Sequence, residues 1–163
     1  MIWRQCSLPS AVLVIILSIA CANAAEPPSK AAPLPGTLSV KTKYGFDELT
    51  ARLEKAIADN KMGLVAQASA SRGAAARGVK IAGNAVLMVF RNDYAVRMLK
   101  SSVPAGIEAP LRLYVTENTD GTASITYRLP SDVFAPYGSR ELDDMANELD
   151  VIFQNIVRAA ARS

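Results

Sequence analysis

The chain of 163 residues contains no histidine, and its two cysteines, Cys6 and Cys21, both lie in the first 24 residues. Without histidine it lacks the commonest general base, the base of a Ser-His triad and a usual zinc ligand. If residues 1–24 are removed, disulfides, thiol catalysis and cysteine metal sites are excluded as well. A carboxylate pair, a lysine nucleophile or a calcium site of oxygen ligands remains possible.

The chain also lacks a large excess of charge of either sign. It has 18 Lys and Arg and 15 Asp and Glu, which gives a net charge of +3. Removal of residues 1–24 takes away only Arg4 among the charged residues and lowers the net charge to +2. A nucleic-acid-binding domain normally concentrates many cations on one face. We therefore expect no nucleic-acid partner.

The first 24 residues have the pattern of a cleavable secretory signal. Arg4 precedes an apolar run at residues 11–22, which has the length of a signal core. A membrane-spanning helix needs about 20 apolar residues, so we expect no transmembrane helix in the mature chain. Small residues at Ala22 and Ala24 predict cleavage after Ala24 and a periplasmic or secreted protein; a retained anchoring helix is the alternative.

Cys21 offers a second mode of export. Residues 17–21 read Leu-Ser-Ile-Ala-Cys, which is similar to a bacterial lipobox with Cys21 as the acylated N-terminus. A lipobox usually has a large aliphatic residue three positions before the cysteine, where this chain has Ser18. The sequence thus leaves two hypotheses, a free Ala25 or a lipid-anchored Cys21.

The mature chain is divided by composition into two parts. Prolines dominate residues 25–36 and predict an extended linker, with a proline-rich ligand for a partner domain as the alternative. Residues 37–163 have the length of one ordinary domain, which can bury a core without disulfides.

Apolar spacing predicts the first elements of this domain. Alternation indicates a half-buried strand from residue 38, and spacings of three and four indicate a helix that begins near Phe46 and ends at Asn60. Residues 85–90 are apolar at every position, which is typical of a strand covered on both faces. The other elements predicted before residue 104 are a strand at 63–69, a helical turn at 71–78 and a short helix at 94–100.

The second half of the domain has the clearest pattern. Residues 111–116 and 123–129 alternate and are joined by the turn Asn-Thr-Asp-Gly at 118–121, which predicts a hairpin. Ser139 is a natural N-cap for a long helix that ends near residue 160. The whole pattern predicts an α+β fold with an antiparallel sheet of about five strands packed against two main helices.

Four segments are similar to a known family: Gly-Phe-Asp at 45–47, Val-Leu-Met-Val-Phe-Arg-Asn at 86–92, the pair Leu99 and Pro104, and Glu-Ala-Pro-Leu-Arg-Leu-Tyr-Val at 108–115. With the hairpin and the long helix, they make residues 38–160 resemble the domain of unknown function 302 family. The resemblance implies an α+β domain with an antiparallel sheet that pairs as a homodimer. It implies no reaction and no catalytic residue.

The candidate ligand site is Phe90, Arg91, Asn92 and Arg97. Polar groups emerge here at the end of a buried strand, where pockets often form, and the two arginines suit a small anionic ligand. The alternative is a solvated loop in which Asn92 bonds its own turn backbone. Family members have Phe-Gly-Asn-Pro at this point; Phe90 and Asn92 match, whereas Arg91 and Asp93 replace the glycine and the proline. We therefore expect the segment's role in the family to be altered here.

Other polar groups give weaker candidates. Acidic residues lie in the first turns of the predicted helices, where the helix dipole explains them, and no calcium-loop spacing is present. Lys80 and Lys100 are nucleophiles only if buried. The sequence therefore predicts no catalytic residue, no metal site and no cofactor.

The leading hypothesis is a non-enzymatic exported domain that binds a small ligand or an envelope protein. An enzyme based on carboxylates or lysine, or a lipid-anchored envelope protein, is the alternative.

Overall fold

A computed structural model describes residues 33–162 of the chain. The predicted signal, the cleavage position after Ala24 and the alternative anchor Cys21 lie outside the described residues, as does most of the predicted linker. Within residues 33–162, no helix is both long and apolar enough to cross a membrane.

Five strands and five α-helices make up the domain. In chain order they are β1 (Thr37–Lys41), α1 (Phe46–Asp59), β2 (Gly63–Ala68), α2 (Ala70–Ala75), β3 (Asn84–Phe90), α3 (Asn92–Ser101), β4 (Leu111–Glu117), β5 (Ala123–Arg128), α4 (Pro130–Phe134) and α5 (Arg140–Ala161). Short 3₁₀ turns follow α3, at Pro104–Glu108, and α4, at Ala135–Tyr137. The α+β fold predicted from the sequence is confirmed.

The strands form one antiparallel sheet in the order β1-β5-β4-β3-β2. The predicted hairpin is β4 and β5, in which Leu113 lies opposite Tyr127. Its turn closes where Gly121, with a φ of 78°, donates its N–H to the carbonyl of Asn118 at 3.0 Å. Glycine adopts this left-handed conformation at little cost, which is why the turn ends there.

Helices α1 and α5 cover one face of the sheet and form the core with it. Apolar residues recur every three or four positions along both helices, so each has one buried side. Ser139 caps α5 as predicted, since its side chain accepts a hydrogen bond from the N–H of Leu142. The largest fully buried side chains of the two helices are Leu49, Leu53, Ile57, Leu142, Met145, Phe153 and Ile156.

Strand β3 differs from its prediction. Ala85, Leu87 and Val89 are buried as expected, but the alternate residues Val86 and Met88 are only half-buried. An antiparallel sheet needs helices on one face only, so the second face of β3 lies among outward side chains of its neighbours. The prediction that both faces are covered was therefore wrong.

Helix α4 is an element that the sequence patterns did not predict. Pro130 occupies the first position of α4, where the missing N–H has no helical partner to lose. In the sequence the same proline marks only the end of the predicted strand. The cap comes from α5: Asp150 accepts hydrogen bonds from the N–H of Ser131 at 2.9 Å and from its hydroxyl at 2.6 Å. A capping group 19 positions away leaves no local signal in the sequence.

Candidate functional site

The predicted site residues lie at a direct junction between β3 and α3. Phe90 is the last residue of β3, Arg91 is the extended N-cap of α3, and Asn92 is the first helical residue. The predicted loop is thus absent between these two elements, and the helix starts two residues earlier than expected. Arg97 lies in the middle of α3, so one helix positions three of the four residues.

Arg91 is held by two neighbours in its own segment. Its Nε and Nη2 donate to the two carboxylate oxygens of Asp93 at 2.7 and 3.0 Å, and its guanidinium carbon lies 4.2 Å from the centre of the Tyr94 ring. The hydrogen bond from Arg91 lowers the pKa of Asp93. The guanidinium is therefore already matched to a carboxylate in the fork geometry that arginine favours.

Arg97 forms a second pair of the same kind across the fold. Its two terminal nitrogens each donate to a carboxylate oxygen of Glu148 on α5, both at 2.8 Å. The hydroxyl of Tyr94 donates to the same carboxylate at 3.2 Å, and the Arg97 guanidinium lies 5.3 Å from the Tyr94 ring. Burial raises the pKa of Tyr94, which keeps its hydroxyl a donor.

The structure therefore brings Arg91 and Arg97 together around Tyr94, but each arginine binds a carboxylate of this chain. Asn92 is exposed, and within residues 33–162 its side chain makes no hydrogen bond. Glu148 was not predicted as part of the site. It lies 51 positions from Arg97, and a lone glutamate on a helix gives no sign of its partner.

A small cavity lies under Phe90 and Arg91. Its walls are mostly apolar, and its volume is about 30 Å³, which is room for little more than a water molecule. Sites for small organic ligands are usually about 300 Å³ or larger. The apolar residues that fill this region are Val89, Met98, Leu111, Phe134, Met145 and Leu149.

Two apolar side chains on the outward side of α3, and two more just beyond the helix, are exposed to solvent. Val96 and Leu99 are 47% and 46% exposed, and beyond the helix Val103 and Ile107 are 72% and 82% exposed. These four residues, together with Arg97 on the same helix, are called the α3 surface below. Helical spacing turns Val96 and Leu99 away from the buried Tyr94 and Met98, so the fold itself leaves them uncovered.

Among the carboxylates and lysines considered from sequence, Lys100 and Asp144 lie one helical turn from Arg97 and Glu148, but within residues 33–162 none of them forms a hydrogen bond with the site residues. Asp143 and Asp144 are exposed in the first turns of α5, and Asp150 caps α4. Lys80 and Lys100 are exposed, whereas a nucleophilic lysine is ordinarily desolvated. Across the described part of the chain, no three Asp and Glu side chains are grouped as metal ligands.

The Arg97–Glu148 pair makes the site dependent on pH. Its hydrogen bond holds the pKa of Glu148 below the ordinary value of 4.5. A carboxylate with a lowered pKa stabilises the folded state above its unfolded pKa, and this stability is lost as the pH falls through the folded pKa. In a carboxyl NMR titration we expect a midpoint below 4.5 for Glu148 and an upward shift in Arg97→Gln.

The matched control for this titration is Arg91→Gln. It removes the partner of Asp93, so the midpoint of Asp93 rises while that of Glu148 changes much less. An unchanged Glu148 midpoint in Arg97→Gln would contradict the ion pair.

Comparisons with known proteins agree with this architecture. A crystal structure described as an uncharacterized conserved protein DUF302 from Bacillus stearothermophilus is similar, with a TM-score of 0.70 and 20% sequence identity. The match covers 79% of this chain and 100% of that one. A comparison with curated proteins gave no match. The family model described as Domain of unknown function DUF302 matches residues 38–160, and the chain therefore belongs to the DUF302 family.

Proposed function

We propose that this protein is an exported, non-enzymatic domain that binds a protein of the cell envelope through the α3 surface. The observation that carries the proposal is the exposure of Val96, Leu99, Val103 and Ile107 in one stretch of the chain. The Leu99 side chain lies beside Gly106, so α3 and the turn that carries Ile107 are adjacent, and neighbouring exposed apolar side chains on a folded domain mark sites of interaction.

The surroundings of this surface suit a protein partner better than a small anion. A free anion at Arg91 or Arg97 has to displace a carboxylate that already makes two short hydrogen bonds. The cavity beneath is too small for an organic ligand. Arginine, present here as Arg97 beside the apolar side chains, is among the residue types enriched at the energetic centres of protein interfaces.

Self-association is a second part of the proposal, and strand β2 supports it. β2 is an edge strand, all six of its residues are exposed, and none is charged. The opposite edge, β1, carries Lys41, a residue type that discourages pairing between edges. We propose that β2 of two chains pair to form the homodimer implied by the family resemblance.

One experiment tests both export and partner binding, because it reports the N-terminus of the mature protein and any protein bound to it in a single measurement. Native mass spectrometry is applied to the protein extracted under mild conditions from its own cell envelope. We expect the N-terminus at Ala25, a dimer, and a complex with an envelope protein. An acylated Cys21 would replace the free N-terminus by the lipid anchor, and a monomer would contradict pairing through β2.

The variant Val103→Asp with Ile107→Asp tests the α3 surface. Charges at the centre of an apolar contact weaken association about tenfold or more, while substitutions at such exposed positions change stability by only about 0.5 kcal/mol. The matched control is Val151→Asp, an exposed valine on α5. Recovery of the complex at the wild-type level in the double variant would refute the proposed surface.

A further inference from the structure

A second concave region lies between the last turns of α5 and strand β1, away from the residues of the α3 surface. This groove has a volume of about 520 Å³, far larger than the cavity beneath Phe90. The groove is open to solvent along one side, and its volume is enough to accommodate part of a small organic molecule. Its lining is Val40, Tyr127, Val157 and Ala161 along the floor, with Gln154, Arg158 and Arg162 at the side.

The groove arises because α5 does not cover the edge of the sheet. Tyr127 on β5 is 5% exposed, but Leu38, directly opposite it on β1, is 39% exposed. Leu38 and Val40 point toward the helix side, since they lie opposite the core residues Tyr127 and Ile125. Apolar side chains of an edge strand are thus left open to solvent beside a helix.

Helical spacing places the cations along one wall. Gln154 and Arg158 are four positions apart and share one side of α5, and Arg162, the C-cap residue, follows at the same interval and lines the same groove. The end of the helix is anchored, because the carbonyl of Arg162 accepts hydrogen bonds from Tyr44 Oη at 2.5 Å and Arg52 Nη2 at 2.6 Å. These contacts use the Arg162 backbone and leave its side chain available.

The charges of this groove differ from those of the α3 site. Both Arg158 and Arg162 are exposed, and no carboxylate of residues 33–162 lies within 4.0 Å of either guanidinium. Asp150 lies one turn before Gln154, and its carboxylate is bonded to Ser131. The charged side chains that line the groove are therefore both cationic, and they lie at the end of α5 beside apolar side chains.

We propose that this groove binds an amphiphilic anion, a molecule with one apolar chain and a carboxylate or phosphate head. The head binds Arg158 and Arg162, which offer the forked donors that carboxylates and phosphates accept. The chain lies along Leu38 and Val40, the apolar side chains of β1 that remain partly exposed and can be removed from water, above a floor formed by the buried Tyr127 and Val157. A free fatty acid and an anionic lipid headgroup share this chemistry.

The test uses decanoate, below its micelle concentration, as the probe of the full chain. We expect isothermal titration calorimetry to show binding, and amide NMR shifts to change at Val40, Val157 and Arg158. Acetate lacks the apolar chain and octyl glucoside lacks the charge, so we expect the Kd of each to be at least about tenfold higher than that of decanoate. Shift changes confined to other surfaces, or equal affinities for acetate and decanoate, would overturn the proposal.

Charge is tested by the variant Arg158→Gln with Arg162→Gln. We expect its Kd for decanoate to rise about tenfold or more, because hydrogen bonds from charged donors are lost. The matched control is Arg77→Gln with Arg140→Gln, two exposed arginines elsewhere, whose Kd stays within about twofold of the wild type. An unchanged Kd in the first variant would also overturn the proposal.

Vesicles of phosphatidylglycerol distinguish the two sources of the ligand. Vesicle binding that Arg158→Gln with Arg162→Gln weakens supports a lipid headgroup, and decanoate binding without vesicle binding supports a free acid. Binding of neither probe overturns the proposal. All these variants keep the α3 surface intact, so failure here is distinguishable from failure of the proposed partner-binding function.

Discussion

Replacing Phe153 by alanine lowers the free energy of unfolding by about 3–5 kcal/mol. Phe153 is fully buried on α5, and its ring centre lies 6.3 Å from that of Tyr127 on β5. The substitution removes a large apolar side chain from the contact between α5 and the sheet, and leaves a cavity that a packed core closes only in part. Urea denaturation followed by circular dichroism measures the loss.

The control for this substitution lies on the same helix. Val151 is exposed two positions before Phe153, so Val151→Ala changes the free energy of unfolding by only about 0.5 kcal/mol. A loss of about 1 kcal/mol or less for Phe153→Ala would show that α5 does not pack on the sheet as described. The same contact holds Tyr127 in the floor of the groove between α5 and β1, called the α5 groove, so this variant also weakens decanoate binding.

Replacing Asp150 by alanine lowers the free energy of unfolding by about 2 kcal/mol. The carboxylate accepts two hydrogen bonds from Ser131 and caps α4, whose own N-cap residue, Leu129, has no side chain able to do so. Without the Asp150 carboxylate, the N–H of Ser131 in the first turn of α4 loses its acceptor at a partly buried position. Chemical denaturation and hydrogen exchange at Ser131 report the change.

Asp144→Ala is the matched control for the Asp150 variant. Asp144 is an exposed aspartate of the same helix, and we expect a change of about 0.5 kcal/mol or less. The free energy of unfolding of Asp150→Asn should lie between those of Asp150→Ala and Asp144→Ala, because the amide keeps one acceptor oxygen for Ser131. Equal stabilities of Asp150→Ala and Asp144→Ala would contradict the capping role.

The two surfaces proposed here differ in what they offer a partner. The α3 surface has apolar side chains beside arginines that are already paired, which suits a large partner able to cover them. The α5 groove has apolar side chains beside arginines without a carboxylate partner in the described part of the chain, which suits a small amphiphilic anion. The sequence-based prediction of an anion at Arg91 and Arg97 stays a prediction, but its chemistry is better supported at Arg158 and Arg162.

Sequence by itself determined the elements whose pattern is local. The β4–β5 hairpin follows from alternation around a turn that ends in Gly121, and α5 follows from Ser139 and apolar spacings of three and four. In both cases the interacting groups lie within a few positions of one another. Such periodicity depends only on the geometry of a strand or a helix.

Only the tertiary structure decided how these elements meet. Four features of the structure join residues that are distant in sequence. They are the pairing of Arg97 with Glu148, the cap of α4 by Asp150, the one-sided burial of β3 and the groove beside β1. An arginine has the same local pattern whether it faces a carboxylate, a ligand or water. The group that an arginine contacts depends on how the helices pack against the sheet. The residues next to it in sequence do not determine that packing.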